Sequence, residues 1–144
     1  MQDVKAANRV FASSAEIWQI PKGAYTKVSV SFAELMEKIR PCGAIGRYLV
    51  DNTLRFYEEV VLGTNSSPKH RDGRVLGDSS TVSVLAVEGG EESYHMGRAP
   101  KFLPDYSYEE NPTGAPIRIC HRVHERFIIE DLAAKLRMFT KMES

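Results

Sequence analysis

The chain has 144 residues, 42% of them hydrophobic, and its nineteen basic and nineteen acidic side chains cancel. It is long enough to bury a real core as one domain, or as part of a larger one. The charge balance gives no footprint for nucleic acid or for an anionic membrane surface. No apolar run approaches the ~20 residues that cross a bilayer. The N-terminal MQDVKAANRV lacks the apolar centre of a secretory signal. Cys42 and Cys120 therefore read as free thiols of a reducing, cytoplasmic compartment.

In chain order, residues 3–13 have the spacing of a helix, with Asp3 at its start and Val4, Ala7, Val10 and Phe11 on one face. Residues 16–20 form a short strand candidate, closed by Pro21-Lys22-Gly23. Val28 and Val30 mark a second. Ser31 and Glu34 have capping-box spacing, ahead of a helix that carries Phe32, Leu35, Met36 and Ile39 inward and stops at Pro41-Cys42-Gly43. A longer helix, 45–62, presents Ile45, Tyr48, Leu49, Phe56 and Val60, with Gly63 suited to its C-terminal cap.

Residues 68–87 organise the chain. A basic loop with Lys69, His70, Arg71 and Arg74 leads to Leu76-Gly77-Asp78-Ser79-Ser80, and a short apolar helix with Val82, Val84, Leu85 and Ala86 follows, closed by Gly89-Gly90. Asp78 and the two serines stand where a helix begins, and their side chains can accept from its first N–H groups. The plain reading of Asp78 is thus an N-cap. The sharper one is a carboxylate presented at the mouth of an α/β sheet. Tyr94 to Met96 start a strand, and the proline- and glycine-rich 97–116 reads as a surface excursion with strand pairing at its edges.

Residues 117–123 alternate best in the chain, which predicts a central strand with Ile119 buried, packed on a closing helix from Glu125 with Ile128, Ile129, Leu132, Leu136 and Phe139 inward. The expected class is α/β, with few strands and flanking helices. Cys120-His121 and His124 offer three zinc-type ligands where a structural zinc needs four. A buried thiol beside a half-buried histidine is the expected arrangement. The acidic pairs Glu91-Glu92 and Glu109-Glu110 read as solvated.

Four segments, in their order, resemble the C-terminal portion of the nucleoside hydrolases, the inosine–uridine preferring, calcium-dependent N-ribosyl hydrolases. AANRVFASSAEIWQIP is similar to that family's helix, small-residue turn and strand. SFAELMEKIRPCGAIGRYLVDNTLRFYEEV resembles its paired helices, GDSSTVSVLAV the segment where an aspartate opens a helix, and PIRICHRVHERFIIEDLAAKL its closing strand and helix. The resemblance implies hydrolysis of the N-glycosidic bond of ribonucleosides, a small-molecule nucleoside substrate, and a Ca²⁺ ion that binds the ribose hydroxyls and a water. It implies that Asp78 is a metal ligand. His70 and Arg74, in the adjacent loop, become candidates for contact with the base.

The departures are as informative. Gly77 stands where many members have a histidine that protonates the leaving base. The family's N-terminal aspartate-rich metal motif and its glutamate-and-asparagine ribose site have no counterpart, and Asp3 falls at a structural position. The chain reads as the back part of an enzyme, inactive alone, lacking an N-terminal half or assembling as a homo-oligomer. Two other readings stand beside it: a non-catalytic α/β module acting through oligomerisation or partner binding, and a small enzyme using His70, Asp78 and His121.

Overall fold

The computed structural model describes residues 3–62, 72–87 and 93–142. Its first helix, α1 (Val4–Phe11), is capped by Asp3, whose Oδ1 accepts from the Ala6 N–H at 2.9 Å. That is a structural use of this aspartate, as expected. β1 is only Trp18–Gln19, followed by a single turn, α2 (Lys22–Tyr25). β2 (Ser29–Ser31) leads into α3 (Phe32–Glu34), which widens into a π-helical run over Leu35–Ile39. Ser31 Oγ accepts from the Glu34 N–H at 3.0 Å, as a capping residue should. The reciprocal half of the box is not used, because Glu34 holds Lys38 Nζ at 2.8 Å instead.

α4 (Gly43–Phe56) also ends in π-helical form, Tyr57–Leu62. The expected C-terminal cap at Gly63 lies outside the described residues. β3 (Gly73–Val75), a 3-10 turn (Gly77–Ser79) and α5 (Ser80–Ala86) follow. β4 (Tyr94–Arg98), β5 (Lys101–Phe102), β6 (Tyr108–Glu109), β7 (Pro116–Cys120) and α6 (Glu125–Met142) complete the described chain. The class is mixed helix and strand, as expected, with its strands divided among small sheets. Among the described residues, no helix is long and apolar enough to cross a membrane.

β7 is the middle strand of a three-stranded sheet, parallel to β1 and antiparallel to β4. The strand expected over 117–123 stops at Cys120. Beyond it the amides of His121 and Arg122 both turn to the single carbonyl of Ser93, which ends the ladder. Within 97–116 the edges pair as expected, Gly97 with Ile117 and Arg98 with Pro116, and β5 and β6 add a short hairpin that was not expected. It is tied to α1 by a reciprocal pair: Asn8 Nδ2 donates to the Phe102 carbonyl at 2.7 Å, and the Phe102 N–H donates to Asn8 Oδ1 at 2.8 Å.

Two apolar clusters make the core. Val30, Leu35, Ile39, Val50, Ile129 and Ala133 form one, and Ala24, Val28, Val123 and Ile128 the other. α6 packs on α5, α4 and the π-helical run of α3, so the closing helix covers the helical layer rather than the strand before it. Its inward face is Ile128, Ile129, Ala133 and Leu136, while Leu132 and Phe139 turn outward. The stripe rotates because Ala133, with almost no side chain, allows closer approach than a leucine would.

The face of α4 departs similarly. Ile45, Tyr48 and Phe56 are exposed, and the residues that enter the core are Gly46 and Val50, with Leu49 and Leu54 partly buried. A Cβ at Gly46 would stand 2.1 Å from the Ile39 carbonyl oxygen. The helix therefore docks through its glycine, which a reading weighted by hydrophobicity does not see. Met36, expected inward, is likewise exposed.

On the surface, Lys38 joins Glu34 to Glu130 and so ties α3 to α6. The hydrogen bond from Lys38 holds the Glu130 carboxyl below its ordinary range, and Glu130 and then Glu34 hold the Lys38 ammonium above its own. A carboxyl with a depressed folded value contributes stability above its unfolded value and loses it as the pH falls through the folded one. Glu130→Gln should therefore be less stable than the wild type at neutral pH, and the two should converge in acid. A constant difference across the acid range, in denaturant unfolding at several pH values, would contradict this.

The core assignments carry a second expectation. Ile117 is 1% exposed, whereas Ile119, expected to be the buried position, is half-buried. Ile117→Ala should cost about 2–5 kcal/mol and Ile119→Ala clearly less. Urea unfolding that ranks them in reverse would centre the buried part of this face of β7 on Ile119 rather than Ile117.

Candidate functional site

The segment that carries Asp78 is held from both sides. β3 pairs antiparallel with β2, Ser29 opposite Val75 and Ser31 opposite Gly73. One further bond continues the ladder at each end: the Phe32 N–H to the Asp72 carbonyl at 2.9 Å, and the Leu76 N–H to the Val28 carbonyl at 2.7 Å. The Leu76 side chain packs against both apolar clusters. Immediately beyond this anchor, the chain makes its 3-10 turn and enters α5.

Gly77 lies against a ring. A Cβ built there would stand 2.8 Å from Tyr25 Cδ2 and 3.3 Å from Cε2. A histidine at this position would have to displace Tyr25.

Asp78 is exposed and does not cap α5. The residue at the cap position is Ser79, which makes no side-chain bond to the helix. Thr81 Oγ1 donates to the Asp78 backbone carbonyl at 2.8 Å, but the Asp78 carboxylate takes no hydrogen bond or ion pair among the described residues. The N-cap expected of this aspartate is thus absent.

The serines of the same stretch go inward. Ser80 and Ser83 are buried, and Ser83 Oγ accepts from the His124 N–H at 2.7 Å, which fastens α5 to the segment leaving β7. Of the apolar side chains of α5, Val84 packs against the second cluster, and the others turn outward. Val82 is exposed and Leu85 is 76% exposed.

Arg74, proposed to contact a base, lays its guanidinium over the Phe56 ring at 4.1 Å. It makes no ion pair with Asp78 among the described residues. His70, the other candidate, lies outside the described residues, as do Lys69 and Arg71. Ca²⁺ takes six to eight oxygen ligands. Among the described residues, no group of three or more His, Cys, Asp and Glu side chains could hold a metal ion. One exposed carboxylate at Asp78 is a possible ligand and not a calcium site.

The zinc-type triplet also fails to gather. Cys120 is buried, with burial pushing its thiol above the ordinary value against a smaller opposing effect of Arg118. His121 and His124 are exposed, His121 with its ring 5.6 Å from that of His95. The thiol is as buried as expected; the histidine is more open. Glu109 and Glu110 are solvated, and Glu109 pairs with Lys101 at 3.4 Å.

One feature of the described surface escaped the sequence reading. On the sheet face bearing Trp18 and Arg118, directly paired in register, the Arg118 guanidinium lies over Trp18 at 4.7 Å and over Tyr94 at 5.1 Å. Glu16 closes the group, accepting from Trp18 Nε1 at 2.8 Å and pairing with Arg118 at 3.4 Å. A groove of about 440 Å³ runs between this cluster and α5, reaching Arg122 and His124. No local pattern announces this cluster, because its rings and guanidinium come from three separate strands.

Comparison with protein-family models, with curated proteins and with solved structures finds no match to this chain.

The contact at Gly77 is testable as a coupling. Gly77→Ala should destabilise by about 1–3 kcal/mol through overpacking, and the loss should shrink when Tyr25→Ala is added. Equal costs of Gly77→Ala in both backgrounds, by a double-mutant cycle in urea, would show that Tyr25 is not what confines this position.

Proposed function

We propose that this chain is the C-terminal part of a nucleoside hydrolase, a cytoplasmic N-ribosyl hydrolase of ribonucleosides, and that it is inactive alone. The observation that carries the reading is the Asp78 carboxylate, exposed on a firmly anchored turn with neither a capping bond nor an ion pair among the described residues. An aspartate free of structural duty at the position where the resemblance implies a metal ligand supports that role. The order of the four resembling segments supports the wider assignment. The described residues do not complete a Ca²⁺ site, so the remaining ligands belong to another stretch of polypeptide, and no catalytic step is assigned to this chain.

The reading predicts weak calcium binding without turnover. Titration calorimetry should give a heat of Ca²⁺ binding in the millimolar range that disappears in Asp78→Ala. Inosine, uridine and a nitrophenyl riboside should stay unhydrolysed with millimolar calcium. A calcium heat unchanged in Asp78→Ala would remove the aspartate from the metal. Calcium-dependent hydrolysis lost in Asp78→Ala would show that the chain completes the site by itself.

The second reading, a non-catalytic module acting through association, is favoured by the outward apolar side chains of α5 beside an open sheet face.

A further inference from the structure

We propose that the hollow between α5 and the Arg118 face of the sheet binds a small carboxylate with an aromatic body, its carboxyl group held by Arg118. The hollow has a volume of about 440 Å³, toward the small end of the range for ligand sites. Trp18, Tyr94 and Leu85 give it an apolar wall. Trp18 is 40% and Leu85 76% exposed, so a ligand can reach that wall. Among the described residues, the lining includes Arg118, Arg122 and His124 and no carboxylate, because Glu16 lines the adjoining hollow instead. Arg122 has a partner of its own, which leaves Arg118 as the cation that a ligand meets. Asp78 does not line the hollow, so the proposal is independent of the ribosyl-hydrolase reading.

Arg118 is prepared for that role by its neighbours. Its guanidinium lies over Trp18 at 4.7 Å and over Tyr94 at 5.1 Å. Rings on the two strands flanking β7 therefore set its position, and little side-chain freedom remains to be lost on binding. Its ion-pair partner, Glu16, stands 3.4 Å away with no hydrogen bond between them. The same Glu16 Oε1 already accepts from Trp18 Nε1 at 2.8 Å. Arg118 makes no side-chain hydrogen bond among the described residues, so its N–H groups are open to another acceptor. A guanidinium offers two parallel N–H groups along one edge, which match the two oxygens of a carboxylate. The ring-lined wall beside it favours a flat apolar body on that carboxylate. A bare phosphate would leave the wall uncovered, and it carries more charge than one arginine beside Glu16 can offset.

Trp18 is the sole tryptophan, so its emission reports on the hollow. The probe is 3-phenylpropionate, which should change that emission saturably with a Kd of about 0.1–1 mM. 3-Phenylpropionamide keeps the ring and loses the charge, and should bind at least about tenfold more weakly. Inorganic phosphate at the same concentration should not displace the probe. Arg118→Gln should abolish binding. Because Arg118 also steadies β1, two further variants leave it in place. Glu16→Gln keeps an acceptor for Trp18 and removes the competing charge, so it should tighten binding about two- to fivefold. Leu85→Asp, on the exposed face of α5, should weaken binding of the acid more than that of the amide. Circular dichroism checks that each variant is folded. An unchanged Trp18 emission and no calorimetric heat up to about 10 mM probe, well above the expected Kd, would overturn the proposal. So would equal binding of acid and amide, a folded Arg118→Gln that binds as well as the wild type, or a Glu16→Gln that binds more weakly. Phosphate that displaces the probe would also overturn it, and would mark the hollow as a site for simple anions.

Discussion

The fold turns on Leu76. Its N–H extends the β2–β3 ladder to the Val28 carbonyl, and its side chain joins the two apolar clusters. Burying part of a leucine is worth on the order of 1–2 kcal/mol, an ordinary amount. Its location gives it greater effect. One cluster holds the π-helical run of α3, α4 and α6, and the other holds α2, the exit from β7 and the start of α6. Leu76 touches both, one residue before the turn that presents Asp78. The placing of that carboxylate thus depends on core packing and a backbone ladder, not on a helix cap. Asp78 is held through its backbone while its side chain remains free.

α5 inverts the usual logic of an amphipathic helix. Its serines are inside and its leucine is outside. Burying a hydroxyl costs free energy unless it is hydrogen-bonded, and Ser83 meets this by accepting from the His124 amide. That bond also supplies a partner to an N–H in the first turn of the chain entering α6, where helical partners are lacking. One serine therefore satisfies two needs and joins two segments 41 residues apart. The consequence falls on the opposite face: with the serines committed inward, Val82 and Leu85 have only solvent to meet.

Much of this was legible in the sequence, and the failures share a cause. Asp3, Ser31, the central place of β7 and the excursion over 97–116 each follow from a local rule: a cap, an alternation, a density of proline and glycine. The helix faces did not follow. Gly46 in α4, Ala133 in α6 and the serines of α5 enter the core because close approach favours small residues, whereas reading by hydrophobicity ranks larger ones first. Asp78 was found, but its most economical reading, the N-cap, was wrong. Ser79 and Ser80 competed for the helix start, and the 3-10 turn moved the aspartate off it. The Trp18–Arg118–Tyr94 stack was invisible because it assembles three strands whose pairing no local pattern specifies.

That stack bears on how a two-residue strand persists at the edge of a sheet. Strands in parallel pairs are ordinarily covered on both faces, yet the face bearing Trp18 is open. Arg118 covers part of it, spreading its guanidinium over a ring on each neighbouring strand while Glu16 holds the charge in place. Two exposed cation–π contacts and one exposed ion pair together contribute roughly 1–3 kcal/mol. Leaving about 100 Å² of a tryptophan in water forgoes roughly 2.5 kcal/mol, and Leu85 adds to that. The two sums are of the same size. The stack can hold β1 in register, but it does not replace a covering layer. Between them, the open edge, the half-covered tryptophan and the outward leucine leave a surface whose free energy falls when another apolar surface closes on it.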